Sequence, residues 1–157
     1  MKKLVVLSGA GISAESGIAT YRDKGGLWKE YDPKIYANIK TWHTQRDKMN
    51  EFYNMRRKEL STVEPNSAHL KLVELEKHFD VTIITQNVDD LHERAGSSDI
   101  IHLHGELTKI RNDQDPFYTK TGEDSHWMDI GYTELDIEKF PDYRPAIVFF
   151  GEAVPKM

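Results

Sequence analysis

Apolar residues gather in four short runs, and the stretches between them set the expected fold. KLVVL (3–7), VTIIT (81–85), IIHLH (100–104) and AIVFF (146–150) read as strands, the first two as buried parallel strands because they are short, β-branched and apolar. Between the first two runs, TQRDKMNEFYNMRRKELS (44–61) has helical period with apolar Met49, Phe52 and Leu60. A second helix is expected over about 67–79, with Asn66 as its N-cap after Pro65. DDLHERAG (89–96) reads as a short helix closed by Gly96, and another helix is expected to begin near Ser13. Strand, helix, strand, helix, strand is the α/β order, in which ligands lie beyond the carboxyl ends of the strands. Three polar clusters fall at those ends: 8–23, 86–89 and 104–106.

Two stretches lack a period. Residues 17–40 contain Gly25-Gly26, Asp32-Pro33 and scattered aromatics, and read as a long ordered loop of the kind that carries function. Residues 112–143 hold two prolines and many Asp, Glu and Tyr, and read as an irregular insertion outside the core. One domain over 1–157 is expected, with a helical segment at 44–80. Composition agrees, since 157 residues with 38% apolar content can build one core. Twenty-one Lys and Arg against 26 Asp and Glu leave −5 with no basic run, which argues against nucleic acid as a direct partner. No apolar stretch approaches the ~18 residues of a membrane span, and the N-terminal run is too short for a signal peptide core. A cytoplasmic monomer is expected. The absence of cysteine excludes disulfides, thiolate nucleophiles and Cys-based zinc sites.

Candidate chemistry follows the strand ends. Gly9-Ala10-Gly11-Ile12-Ser13-Ala14 fits G-x-G-x-x-G/A between a strand and a helix, where glycines let the backbone approach a pyrophosphate. The acidic ribose ligand of ordinary dehydrogenases, about twenty residues on, is replaced by the long loop. G-x-S-x-G fails at both Ser13 and Ser16. In TQNVDDLH (85–92), Asn87 or Asp89 alone would be a helix cap, but Gln86, Asn87 and Asp89 together suit a ligand with several hydroxyl and amide groups. HLHGEL (102–107) carries two histidines two apart, read as pointing to opposite faces of a strand. His102 is then a hydrogen-bonded packing residue, a metal role for it being disfavoured, and His104 the general base, since imidazole titrates close to neutrality. Tyr53 and Arg56 are either a solvated helical pair or a fork for a substrate carboxylate.

GAGISAESGIATYRD, TQNVDD, HLHGEL and RPAIVFFGE resemble, in order and spacing, the signature blocks of the sirtuins, NAD-dependent protein lysine deacylases. GLWKEY, FYNMRRKEL, PNSAHL and DLHERAG narrow the resemblance to the bacterial class III type, which favours succinyl and other acidic acyl groups. It implies a Rossmann-like parallel sheet with helices on both faces, and NAD as cofactor. Gly9, Ala10, Gly11, Ala14 and Glu15 through Trp28 would form the pyrophosphate turn and cofactor loop, with Arg22 near the phosphates and Tyr21 near the nicotinamide ribose. Gln86, Asn87, Val88 and Asp89 would hold that ribose and the carboxamide, Asn87 and Asp89 also serving catalysis. His104 matches the proton acceptor, and Tyr53 with Arg56 the readers of an acyl carboxylate. Phe150, Gly151 and Glu152 match the segment beside which the acyl-lysine peptide lies as an added strand. The implied reaction releases nicotinamide, free lysine and O-acyl-ADP-ribose from acetyl- or succinyl-lysine proteins.

The chain departs from the family pattern in three ways. The zinc cysteines are absent, with Asn112 where the first is expected, so no structural metal is expected and 112–143 replaces the zinc ribbon. Ala19 and Tyr21 stand for the family's Pro and Phe. The family continues after the position of Glu152 with further strands, a Gly-Thr-Ser turn and an Asn-x-Glu ribose segment that this sequence does not contain. An incomplete sheet with AIVFF as an exposed edge is therefore expected. The alternative reading is an inactive fragment that at most binds NAD or peptide.

Overall fold

The computed structural model describes residues 1–20, 30–116 and 126–154. β1 (Lys2–Ser8), β2 (Phe79–Thr85) and β3 (Ile100–His102) form a parallel sheet in the spatial order β1-β2-β3. Ser8 pairs with Thr85 and Thr85 with His102, so the last residues of the three strands stand in one row. The loops that leave them therefore open on the same side. Val81, Ile83 and Thr85 of β2 are buried, as expected. β1 is not buried on both faces: Val5 and Leu7 are 62% and 68% exposed, so one face of this edge strand is left uncovered by the described residues.

The helix expected near Ser13 is a single turn, α1 (Gly11–Ala14), beginning two residues earlier. The 17–40 stretch contains α2 (Pro33–Tyr36) and the start of α3 (Ile39–Thr44). Both are set by side-chain caps, Asp32 accepting from the Lys34 N–H and Asn38 from the Lys40 N–H. α4 (Arg46–Leu60) matches the long expected helix. α5 (Ser67–Leu75) starts at the Asn66 cap, where Ala68 N–H donates to Asn66 Oδ1 and Asn66 N–H donates to His69 Nδ1. It ends sooner than expected because β2 begins at Phe79 rather than Val81. α6 (Leu91–Ala95) is closed by Gly96 at φ 106°, in the left-handed region that glycine tolerates.

A second, antiparallel sheet has the order β5-β4-β6, from β4 (Gly105–Asn112), β5 (Met128–Asp129) and β6 (Tyr143–Ile147). AIVFF therefore does not extend the parallel sheet: its first two residues end β6, which pairs with β4. Gly105 makes this possible, since a Cβ there would lie 2.0 Å from the Ala146 carbonyl oxygen, at a φ of 85°. The 112–143 stretch is not wholly outside the core either. Leu135 is buried, and its carbonyl accepts from Asn50 Nδ2 and Asn54 Nδ2 of α4.

The core collects around the apolar face of α4. Met49, Phe52, Tyr53 and Leu60 meet Trp42, Leu91, Leu107, Ile147 and Phe149. The Tyr53 ring lies 5.0 Å from Phe52 edge-on and 5.6 Å from Phe149. Arg57, fully buried, ties this helix to β4 by donating Nε–H to the Leu107 carbonyl, and burial lowers its pKa to about 10, still charged at neutrality. Among the described residues no helix is long and apolar enough to cross a membrane.

Candidate active site

Five predicted groups, three of them at the level strand ends, border one cavity of about 710 Å³. Its lining includes Ala10 of the glycine turn, Gln86 to Asp89 after β2, His104 after β3, Tyr53 and Arg56 of α4, and Phe150 to Glu152 after β6. Gly9, Gly11, Ala14 and Glu15 belong to the turn and its helix but not to this lining; Tyr21, Arg22 and Trp28 lie outside the described residues. A Cβ on Gly11 would meet none of the described residues within 4 Å, so among them the turn presents open backbone there.

The turn and the 86–89 loop are bonded to each other. Ser13 Oγ donates to Asp89 Oδ2 at 2.8 Å, and Asn87 Nδ2 donates to the Gly9 carbonyl at 3.0 Å. The N-cap of α6 is Asp90, which makes no side-chain cap bond; Asp89 Oδ1 accepts the N–H of Leu91, the first residue of the helix, so Asp89 both holds the helix start and braces the turn. Burial pushes its carboxyl pKa above the usual range, against the lowering effect of those two bonds. Beneath them, Ser8 Oγ donates to Thr85 Oγ1 and bonds His92 Nε2 at 3.0 Å, while Thr85 Oγ1 accepts the Asn87 N–H. With its one proton given to Thr85, Ser8 accepts from His92, which fixes that ring as the neutral Nε2–H tautomer. Burial, then His69, whose ring is 5.0 Å away, lowers the His92 pKa to about 4.

The two histidines of HLHGEL differ in surroundings for a reason other than strand alternation. Residues two apart on one strand share a face, but β3 stops at His102 and His104 stands in the turn before β4. His102 is buried. Its Nδ1–H donates to the Asn87 carbonyl at 2.8 Å and its Nε2 faces Glu93 Oε1 at 2.5 Å, with Glu106 Oε1 3.9 Å away. A carbonyl and a carboxylate both accept, so the two partners favour the doubly protonated ring. Burial opposes this charge, but Glu93, then Glu106 and the Asn87 carbonyl, outweigh it and raise the pKa. Glu93, His102 and Glu106 place three ligand atoms within 4.8 Å of one another, but the 2.5 Å separation is that of a hydrogen bond. Two ligands on one ion at about 2.0–2.2 Å each stand farther apart.

His104 Nδ1–H donates to the Gln86 carbonyl at 3.1 Å, which leaves Nε2 as the ring's acceptor atom. Tyr53 donates its hydroxyl to the Tyr36 carbonyl at 2.9 Å, and Arg56 Nη1 lies 2.7 Å from Glu59 Oε2. Glu152 is held from within: Arg144 donates to both its oxygens at 2.7 and 3.0 Å, and Phe149 N–H donates to Oε1. Arg144 also lies 4.2 Å above the Phe149 ring. Phe150 pairs on one side through its backbone, N–H to the Ala37 carbonyl and carbonyl to the Ile39 N–H. Sequence reasoning missed the bracing roles of Ser13 and Ser8, and it saw Asn66 only as a cap. Asn66 Nδ2 also donates to the Ile12 carbonyl and to Ser16 Oγ, tying α5 to the glycine turn.

A parallel sheet whose strand ends present a glycine turn, an amide and acid loop and a histidine to one cavity defines an α/β nucleotide-site architecture. The chain belongs to the Sir2 family, whose model matches residues 9–157. It is 54% identical over 155 residues to an NAD-dependent protein deacylase of Helicobacter pylori (strain J99), covering 99% of this chain and 64% of that protein. It is 50% identical over 164 residues to one of Bacteroides thetaiotaomicron, covering all of this chain and 68% of that protein. A Sir2 homologue–NAD complex matches with a TM-score of 0.78 and 38% identity, over 96% of this chain and 59% of that one. The chain thus spans about two thirds of the length of these curated relatives.

Proposed function

We propose that this chain carries the acyl-lysine site and the nicotinamide end of the NAD site of an NAD-dependent protein-lysine deacylase acting on succinyl- or acetyl-lysine. The observation that carries the reading is the convergence of the glycine turn, Gln86 to Asp89, His104 and the Tyr53–Arg56 pair on one cavity of about 710 Å³. The open backbone at Gly11 fits a phosphate group, which needs close approach and no side chain. NAD, when bound, supplies an electrophilic ribose carbon and nicotinamide as leaving group.

The residues of the chain then divide the work. Asn87 and Asp89, bonded to the turn through Gly9 and Ser13, hold the cofactor-facing loop rigid beside the ribose. Gln86 borders the same space and, through its carbonyl, orients His104. His104 Nε2, left as acceptor, takes the proton of a ribose hydroxyl so that its oxygen can attack the acyl carbon. The apolar wall of Phe52, Val88, Leu107 and Ile147 keeps water from the reacting atoms. Arg56 meets an acyl carboxylate where one is present. The acyl-lysine peptide lies as an extended strand along 150–152, on the side opposite the Ala37–Ile39 pairing, and Arg144 braces that edge through Glu152. The protein works in the cytoplasm as a monomer, without nucleic acid and without a structural metal.

Mass spectrometry of the purified chain with NAD and a succinyl-lysine peptide tests this. Desuccinylated peptide and O-succinyl-ADP-ribose should rise together, require NAD, and vanish in His104→Ala while NAD binding persists. Turnover undiminished in His104→Ala would remove that residue from the mechanism. Binding of NAD or peptide without turnover would favour the alternative of a binding module.

A further inference from the structure

Arg56 is the only lysine or arginine among the described residues that line the cavity, against the carboxylates Glu30, Glu59, Asp89 and Glu152. Two of these acids are spoken for elsewhere, Asp89 by Ser13 and the Leu91 N–H, Glu152 by Arg144 and the Phe149 N–H. Glu59 is the one that engages Arg56. It lies three residues on along α4, with its Oε2 2.7 Å from Arg56 Nη1, and both side chains border the cavity. The contact uses a single nitrogen of the fork rather than the bidentate geometry a guanidinium prefers with a carboxylate.

We propose that Glu59 is a specificity-determining residue, an internal carboxylate that occupies Arg56 in place of the substrate's. With a neutral acyl group bound, Arg56 keeps Glu59 as its counter-ion, so its charge is not left uncompensated in a cavity that Leu60 and Val63 also line. With an acidic acyl group bound, the incoming carboxylate must displace Glu59 or share the guanidinium with a like charge. The displacement is mild because the Glu59 side chain is 50% exposed and Arg56 19%, and ion pairs of this spacing in contact with water are weak. Glu59 thereby narrows the preference for acidic over neutral acyl groups instead of closing the site to either.

The inference rests on the acyl-lysine reading of the cavity, and one set of titrations separates the two. Succinyl-lysine and acetyl-lysine forms of one peptide are titrated calorimetrically into the wild-type chain, Glu59→Gln, Arg56→Met and the double variant. Glu59→Gln should tighten succinyl-lysine binding by about two- to five-fold, the range that loss of a weak exposed pair gives. Acetyl-lysine binding should not strengthen. The gain should be absent when Arg56→Met is added. A succinyl-to-acetyl ratio that is unchanged or lower in Glu59→Gln, while Arg56→Met still lowers it, would overturn the role of Glu59 and leave the acyl-carboxylate reading standing. A ratio indifferent to Arg56→Met would overturn both.

Discussion

His102 shows how one side chain can be charged by its partners rather than by exposure. Burial disfavours the imidazolium, yet Glu93, Glu106 and the Asn87 carbonyl raise its pKa above the ordinary value. A group whose pKa is higher in the folded chain contributes stability that is fully present below its unfolded pKa of about 6.5 and is lost as pH rises through the folded value. Glu93→Gln should therefore lower unfolding stability by about 1 kcal/mol at pH 6. That deficit should shrink as pH rises through the raised folded value, where the wild-type ring also loses its second proton; urea titrations at pH 6 and at successively higher pH measure it. A deficit that stays equal across the series would show that Glu93 acts by packing. His92 works in the other direction. Burial and His69 hold it near pKa 4, so the unfolded chain takes up this proton first on acidification. The fold loses stability through His92 as pH falls from about 6.5 toward 4.

At the scale of the element, α5 owes its start and its orientation to one residue. Asn66 caps the helix with Oδ1 and reaches back to Ile12 and Ser16 of the glycine turn with Nδ2. Asn66→Ala should cost about 1–2 kcal/mol. Asn66→Asp keeps the capping oxygen and loses the amide donor, so hydrogen exchange should quicken over Ile12 to Gly17 in both variants but at the start of α5 only in the alanine one. Exchange unchanged over Ile12 to Gly17 would show that the link to the turn carries no rigidity. The cap itself is legible in the sequence, because Asn66 precedes a periodic run, as Gly96 is legible after one. The end of α1 is not, since glycines mark where a turn begins and say nothing of where the helix stops. Nor is β4: GELTKIRN buries Thr108 and Arg111 beside Leu107 and Ile110, so its pattern of two buried residues in a row has no strand period to read.

At the scale of the molecule, the three polar clusters named from the sequence meet because parallel register sets Ser8, Thr85 and His102 in one row. That convergence follows from topology and was accessible from strand order alone. The side-chain pairings around the site were not: Arg56 with Glu59, Glu152 with Arg144, and His102 with Glu93 join residues whose spacing carries no signal of contact or whose alternatives are equally close. The same topology moves the exposed apolar surface. AIVFF, expected as a bare edge, is largely absorbed: Ala146, Ile147 and Phe149 are buried, Ala146 and Ile147 within β6, while Phe150 stays exposed, whereas β1 shows Val5 and Leu7 on an edge strand at 62% and 68% exposure. No described residue covers that face or pairs that edge, and such apolar surface favours association between copies of this chain, proposed as a monomer, when it is concentrated. Val5→Thr with Leu7→Thr keeps residues compatible with a strand and removes that surface. The double variant should show less concentration-dependent light scattering, with unfolding stability within about 0.5 kcal/mol of the parent, as for substitutions at exposed positions. Scattering that persists unchanged would place the self-association on another surface, such as the exposed Phe150. A stability loss well beyond that range would instead mean that Val5 and Leu7 contribute to the fold and not only to the surface.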